Sequence, residues 1–264
     1  MRRLFLLSLA SALAGFLTSG CSSNGGPTSP AGMGTVRIAL TDAPAAYDSV
    51  VLNVVQVSVH RDGPDNEGWF TASTPDTMID LLTLRNGVFK NLGTVMVPAG
   101  HYSQVRLLLG PGSYVVQSGV RHDLVVPSGL QTGLKLIGGF DVPAGGNVDL
   151  AIDFDAARSI HVTGNGKYMM KPTARVQVVS TVGAISGSVS PADPPSGVFA
   201  MAGADTVAST VSGGDGSFML SLLPPGSYDV HIDAPDAFRD TTITGVAVTA
   251  AQTTNIGVVT LTPH

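Results

Sequence analysis

Between Thr35 and Leu261 the chain keeps returning to one pattern: short runs with apolar, often β-branched residues at every second position, then a cluster of Gly, Pro, Asn or Asp. In TVRIALTD, Val36, Ile38 and Leu40 fall on one face; in VVLNVVQVSVHRD, Val55, Val57 and Val59 do the same. Residues two apart share a face only in extended backbone, so this period predicts half-buried strands. No apolar stripe of helical period lasts beyond about ten residues, and DLLTLRN supplies at most a turn or two of helix. Strands spaced roughly 8–12 residues apart, with turn signals between them, indicate a sandwich or barrel. Such a chain needs punctuation more than charge, and it has 32 Gly and 17 Pro against 12% charged residues. The expected fold class is all-β, with two β-sandwich-like domains.

One unit is written three times. VMVPAGHYSQVRLLL (Val95 to Leu109), FDVPAGGNVDL (Phe140 to Leu150) and LLPPGSYDVHI (Leu222 to Ile232) each place Pro-x-Gly between an apolar strand and an alternating one. Pro presets one turn dihedral, and Gly tolerates a positive one. Tyr102 and Tyr228 follow closely enough to bury their rings while their hydroxyls reach backbone, as a tyrosine corner does. A repeated active site would carry the same titratable group in each copy. The variable positions instead hold His101, Gly146 and Ser227. The repeat is a building device. Elsewhere, MIDLLTL and VFKNLGTVMV flank Arg85-Asn86-Gly87 and predict two strands meeting at an Asn-Gly hairpin turn.

The N-terminus reads differently. Arg2 and Arg3 precede an apolar run, Leu4 to Leu17, and a small-residue stretch, Thr18-Ser19-Gly20. That is the layout of a secretory signal peptide, too short for a comfortable membrane span. It stops at Cys21, the chain's one cysteine. An incidental cysteine behind an ordinary signal peptide is one reading. The other is that the segment resembles a bacterial lipobox, with Thr18 where leucine is usual, which implies acylation of Cys21 and anchoring of the protein in a membrane. Ser22 in place of an aspartate favours the outer membrane over inner-membrane retention. SSNGGPTSPAGMG then reads as a flexible tether. The organisation expected is a signal peptide over 1–20, a lipidated tether over 21–34, a larger β domain over 35–181 and a smaller one over 182–264.

The formal charge is −5, and the sequence shows no basic face of the kind a nucleic-acid partner would want. Among carboxylates, Asp149, Asp153 and Asp155 in VDLAIDFDAARS share one strand face, and Asp42 in LTDAP would join them if its strand end lies alongside. Converging oxygens suit a hard cation such as calcium; the alternative is an exposed acidic strand edge or turn-capping aspartates. Trp69, beside a Gly-rich loop, either stacks on a sugar ring or packs as a rim aromatic. Arg106 and Lys135 sit in apolar strands, where alternation turns them to solvent or pairs them with an Asp across the sheet; the alternative is a binding role for the pair. The six histidines show no zinc-ligand spacing. Pro127-Ser128-Gly129 lacks the strand–turn–helix setting of a nucleophile elbow. Gly164-Asn165-Gly166-Lys167-Tyr168 lacks the spacing of a phosphate loop and reads as a hairpin.

Two resemblances follow from longer stretches. GAISGSV, GGDGSFMLSLLPPGSYDVHIDAPDAF and GVAVTAAQTTNIGVVTL, across Val182 to Leu261, resemble the carboxypeptidase-regulatory-like, transthyretin-like domains of bacterial envelope proteins. That superfamily sits beside carbohydrate-binding-like folds, which implies saccharide binding by analogy alone. LTDAP, PAGHYSQVRLLL, VPSGLQTGLKL, IDFDAARS and YMMKPTARV, in that order between Thr35 and Ser180, resemble the bacterial domain of unknown function 4382. The resemblance implies a fold and an envelope location, in a family with no established activity. The expectation is a non-enzymatic, lipid-anchored envelope protein without a cofactor, presenting a binding surface for carbohydrate or an envelope protein. The alternatives are a structural assembly partner, or a calcium-dependent adhesin or hydrolase built on the aspartates.

Overall fold

The computed structural model describes residues 32–62, 68–127 and 133–264. The expected signal peptide, Cys21 and the tether up to residue 31 lie outside the described residues, as do Gly63 to Glu67 and the Ser128-Gly129 part of the Pro127 turn. Among the described residues strands dominate, with only a one-turn helix, α1 (Ala156–Ser159), and two 3-10 turns, Leu81–Leu84 and Val179–Thr181. No helix among them is long and apolar enough to cross a membrane.

The larger unit holds β1 (Met33–Ala43), β2 (Ser49–Arg61), β3 (Gly68–Ser73), β4 (Thr77–Asp80), β5 (Lys90–Pro98), β6 (Gly100–Leu109), β7 (Tyr114–Gln117), β8 (Val120–Val125), β9 (Leu134–Val142), β10 (Asn147–Asp155), β11 (Ile160–Val162), β12 (Tyr168–Met170) and β13 (Ala174–Val178). One sheet runs β13-β10-β1-β5; the other runs β11-β12-β8-β7-β2-β6-β9, with β3 and β4 along the far side of β2. Their inner faces meet in one core that includes Val36, Ile38, Leu40, Leu107, Leu150, Ile152 and Phe154. The alternation read from the sequence is the alternation that packs: even positions of β1 and β10 point inward. On β2 a bulge after Val54 shifts the inward set from even to odd numbers, so Val54 and Val57 both reach the core, while Val55, expected on one face with Val57 and Val59, stays outside it.

The smaller unit holds β14 (Gly183–Ser190), β15 (Gly197–Ala202), β16 (Asp205–Val211), β17 (Ser217–Leu223), β18 (Gly226–Asp233), β19 (Thr241–Val248) and β20 (Thr253–Thr260). Sheets β17-β14-β20 and β16-β15-β18-β19 enclose a second core around Ile185, Val198, Phe218, Leu220, Val230 and Ile232. The all-β, sandwich-like class is observed in both units.

The tyrosines after Pro-x-Gly behave alike in both. Tyr102 donates its hydroxyl to the carbonyl of Pro98 at 2.8 Å, and Tyr228 donates to Pro224 at 2.8 Å. Both rings are buried. In the middle copy the turn closes through its backbone: the Gly146 N–H donates to Pro143, and Gly145 takes φ 71°. The Thr163–Lys167 segment is the hairpin read from its sequence, joining β11 to β12.

The Asn-Gly hairpin is corrected. Asn86 and Gly87 do take positive φ, 59° and 78°, as a type I′ turn requires. Yet β4 pairs with β2 and β5 with β1, in different sheets, with the 3-10 turn at Leu81–Leu84 between. The turn chemistry was local; its partner strands were not.

Candidate functional site

The outer face of the β13-β10-β1-β5 sheet carries the acidic residues picked out by the sequence. Asp149, Asp153 and Asp155 do share the outward face of β10, but they do not converge. Four residues of strand separate Asp149 from Asp153, about 13 Å. Asp149 pairs with Arg37 on β1, its register partner, at 3.2 Å. Asp153 is bonded to Arg175 on β13, again its register partner. Asp155 caps α1 by accepting from the Arg158 N–H at 2.8 Å, and its other oxygen lies 3.5 Å from the Arg158 guanidinium. Each carboxylate therefore has its own cation. No group of three or more His, Cys, Asp or Glu placed to hold a metal ion occurs among the described residues.

Asp42 lies apart from that face. It continues the inward-pointing positions of β1, is only 5% exposed, and accepts from the Ala156 N–H at 3.0 Å. Its second oxygen is buried without a hydrogen bond. Burial pushes its pKa up to about 8; the Ala156 N–H pulls it down, and the neighbouring charges of Asp153 and Asp155 push it further up. Burial likewise raises Asp153, against the opposing pull of Arg175. Next to Asp42, the hydroxyl of Thr41 lies 2.7 Å from the Leu84 carbonyl and 3.0 Å from that of Val88. LTDAP thus ties the Asn86-Gly87 loop to the start of α1, a structural role for both of its polar residues.

The smaller unit covers part of this acidic face. Ala151 of β10, 0% exposed, packs with Val182 and Leu222. Arg175 also donates to the Val207 carbonyl at 3.4 Å. Asn86 docks on the edge strand β17: its side-chain oxygen accepts from the Met219 N–H, and its amide nitrogen donates to the Ser217 carbonyl at 3.3 Å. One amide thus substitutes for a neighbouring strand and satisfies an edge that would otherwise stand open. Gly87 is favoured by its φ of 78°, and a Cβ there would come within 2.5 Å of Met219 Sδ and displace that flexible side chain. Between the units lies a cavity of about 30 Å³ lined by Asp42, Asn86, Asp153 and Ser221, among others. The Ser221 hydroxyl, like the second oxygen of Asp42, is buried without a partner.

On the outer face of the other large sheet Lys135 and Ile137 are exposed, and Trp69, Gln104 and Arg106 partly so. Trp69 on β3 stands across from His60 on β2, their rings 4.9 Å apart and edge-on. The Trp69 ring meets the guanidinium of Arg106, on β6, at 4.1 Å from its centroid. The strand between them contributes Ser58, fully buried, whose oxygen accepts from Gln56 at 3.0 Å. Arg106 lies directly across from Lys135 of β9, and Gln104 from Ile137, which is 84% exposed. Alternation turned Arg106 and Lys135 to solvent, as read. Neither has a carboxylate partner among the described residues.

Sequence reasoning passed over two residues. Arg175 lay unremarked inside YMMKPTARV, although an arginine in an alternating strand invites a search for its aspartate. Asn86 was read for its turn and not for its side chain, and no local signal points to β17, more than 130 positions away.

Comparison with known proteins adds the following. Among solved structures, the Bacillus anthracis TIE protein is similar over 88% of this chain and 34% of its own, at 13% identity and a TM-score of 0.24, so this chain spans about a third of its length. GBS52, the minor pilin of Streptococcus agalactiae, matches over 86% and 97% at 10% identity and a TM-score of 0.22. BcpA, the major pilin subunit of Bacillus cereus, matches over 88% and 100% at 11% identity and a TM-score of 0.22. At such TM-scores these likenesses carry no argument about function. No curated protein matches. Residues 184–262 match the carboxypeptidase regulatory-like domain, and residues 33–172 match the domain of unknown function 4382. With the second match spanning just over half of its length and its motifs placed as described, the chain belongs to the domain of unknown function 4382 family, with a carboxypeptidase regulatory-like domain following.

Proposed function

We propose that the protein is a non-catalytic binding protein of the bacterial envelope, held to a membrane through an acylated Cys21, that uses the open face around Trp69 to bind polysaccharide. One observation carries the reading: a partly exposed tryptophan held between His60 and Arg106 on the outward face of β3, β2 and β6. Tryptophan offers a flat apolar surface for sugar C–H groups, while Gln104 and the two cations supply donors for hydroxyls. The chemistry present elsewhere supports binding over turnover. The carboxylates are tied to arginines or to a helix start, and neither matched family carries the name of a catalytic domain.

The test is retention of the full chain on immobilised polysaccharides, comparing it with Trp69→Ala. Saturable binding that Trp69→Ala reduces about tenfold or more supports the reading; a uniform blank overturns it. The anchor is tested separately, by fractionating cells that express Cys21→Ala. Release from the membrane fraction supports acylation, and unchanged fractionation sinks it.

A further inference from the structure

We infer that the polymer bound at this face is acidic, with carboxylates on its sugar rings, and that Arg106 and Lys135 receive them beside Trp69. The inference rests on the binding reading above and names its ligand class.

Strand register sets the two sheets apart. On the β13-β10-β1-β5 sheet, two outward arginines each stand across from an aspartate of β10: Arg37 of β1 from Asp149, and Arg175 of the edge strand β13 from Asp153. On the open sheet, the residue across from Arg106 is Lys135. Like charges placed directly opposite repel and cost stability. No carboxylate among the described residues neutralises either one, and Arg106 has the ring of Trp69 as its favourable contact. The chain as a whole carries a formal charge of −5, so the pair is a local exception and not one sample of a basic surface.

Arg106 is also held ready. With the ring of Trp69 at 4.1 Å from its guanidinium, it gives up less rotamer freedom on binding than a free arginine would. Its N–H groups donate to no acceptor among the described residues. A guanidinium presents a planar fork that fits a carboxylate in two-point contact. Lys135, exposed, adds a second charge one strand away. From β3 through β2 and β6 to β9 the face is about 14 Å wide, three strand spacings. A polymer lying across the strands would pass Trp69, Arg106 and Lys135 in turn, with Ile137 beside the last. A neutral polymer would leave the cation pair unrelieved.

The experiment measures binding of the full chain to polygalacturonate and alginate, each against its esterified form, over a range of NaCl. The backbone is constant within each pair, so the difference reports the carboxylates. The expected result is at least about tenfold tighter binding to an acid than to its ester, declining with salt. The double variant Arg106→Gln/Lys135→Gln should fall to the ester's level. Arg121→Gln, which removes an arginine stacked on Tyr114 at 3.8 Å elsewhere in the unit, should not. Equal binding of acids and esters, both lost in Trp69→Ala, would overturn the acidic assignment and leave the polysaccharide reading standing. Binding of acids that the double variant retains would move the site elsewhere and overturn the inference. Equally tight binding of duplex DNA would make the face a general polyanion surface and overturn it too. No binding to any polymer overturns both readings together.

Discussion

The two outer faces of the larger unit solve the same problem in opposite ways. On β10 and its neighbours, charges are matched across strands, and the smaller unit then covers part of the face through Ala151, Arg175 and the Asn86 loop. On β6 and its neighbours, a cation faces a cation, an aromatic ring lies half exposed and Ile137 stands in solvent. Matched pairs can be brought against a second surface because each charge keeps a partner when water leaves. An unmatched pair tolerates exposure and favours an incoming anion. Composition alone would have ranked the acidic face as the more interesting one. Pairing reverses that order.

The covered face depends most on the Asn86-Gly87 loop. Gly87→Val places a β-branched side chain at positive φ and against Met219, so it should cost about 2–4 kcal/mol and loosen the smaller unit. Denaturant unfolding of the full chain checks the cost, and faster proteolysis near Val179–Thr181 would show that the loss is at the junction. Wild-type stability and cleavage would mean that the Asn86 contact does not hold the units together.

Next in size is Asp42. Its pKa is about 8 in the folded chain against 3.8 for an ordinary aspartate, so between those values the native state keeps a proton that the unfolded state has released. Stability therefore falls as pH rises from about 4 to about 8 and levels off above. Asp153, raised by burial as well, adds in the same direction. Asp42→Asn mimics the protonated acid and can still accept from Ala156. It should raise the melting temperature at pH 8 by about 5 °C or more, with little change near pH 4. A melting curve whose pH dependence is undiminished by the substitution would remove Asp42 as its source.

Smaller effects sharpen the contrast. Tyr102→Phe and Tyr228→Phe each delete one hydroxyl bond to a proline carbonyl, at about 1 kcal/mol apiece, read as a shift in denaturation midpoint. Similar losses in the two units would show the repeated turn doing equal duty in each. Smallest of all, Lys135→Asp gives the open face the charge matching of the covered one. It should stabilise by a few tenths of a kcal/mol while abolishing the preference for acidic polymers, a separation of stability from binding that a purely structural pair would not show.

Much of this molecule was legible in one dimension. Strand positions, the inward faces of β1 and β10, the tyrosine corners and the positive φ at Asn86 and Gly87 depend on residues within a few positions of one another. Local sterics and period-two alternation decide them. Tertiary structure alone decided which carboxylate met which arginine, because a strand's face is set by its own alternation but its register partner lies up to 112 positions away. It turned Asp42 from a surface ligand into a buried acid. It separated the strands flanking Asn86 into different sheets, and it sent that asparagine's amide to the edge of β17. The charges were written in the sequence; whether each was paired, covered or left open depended on what the fold brought opposite it.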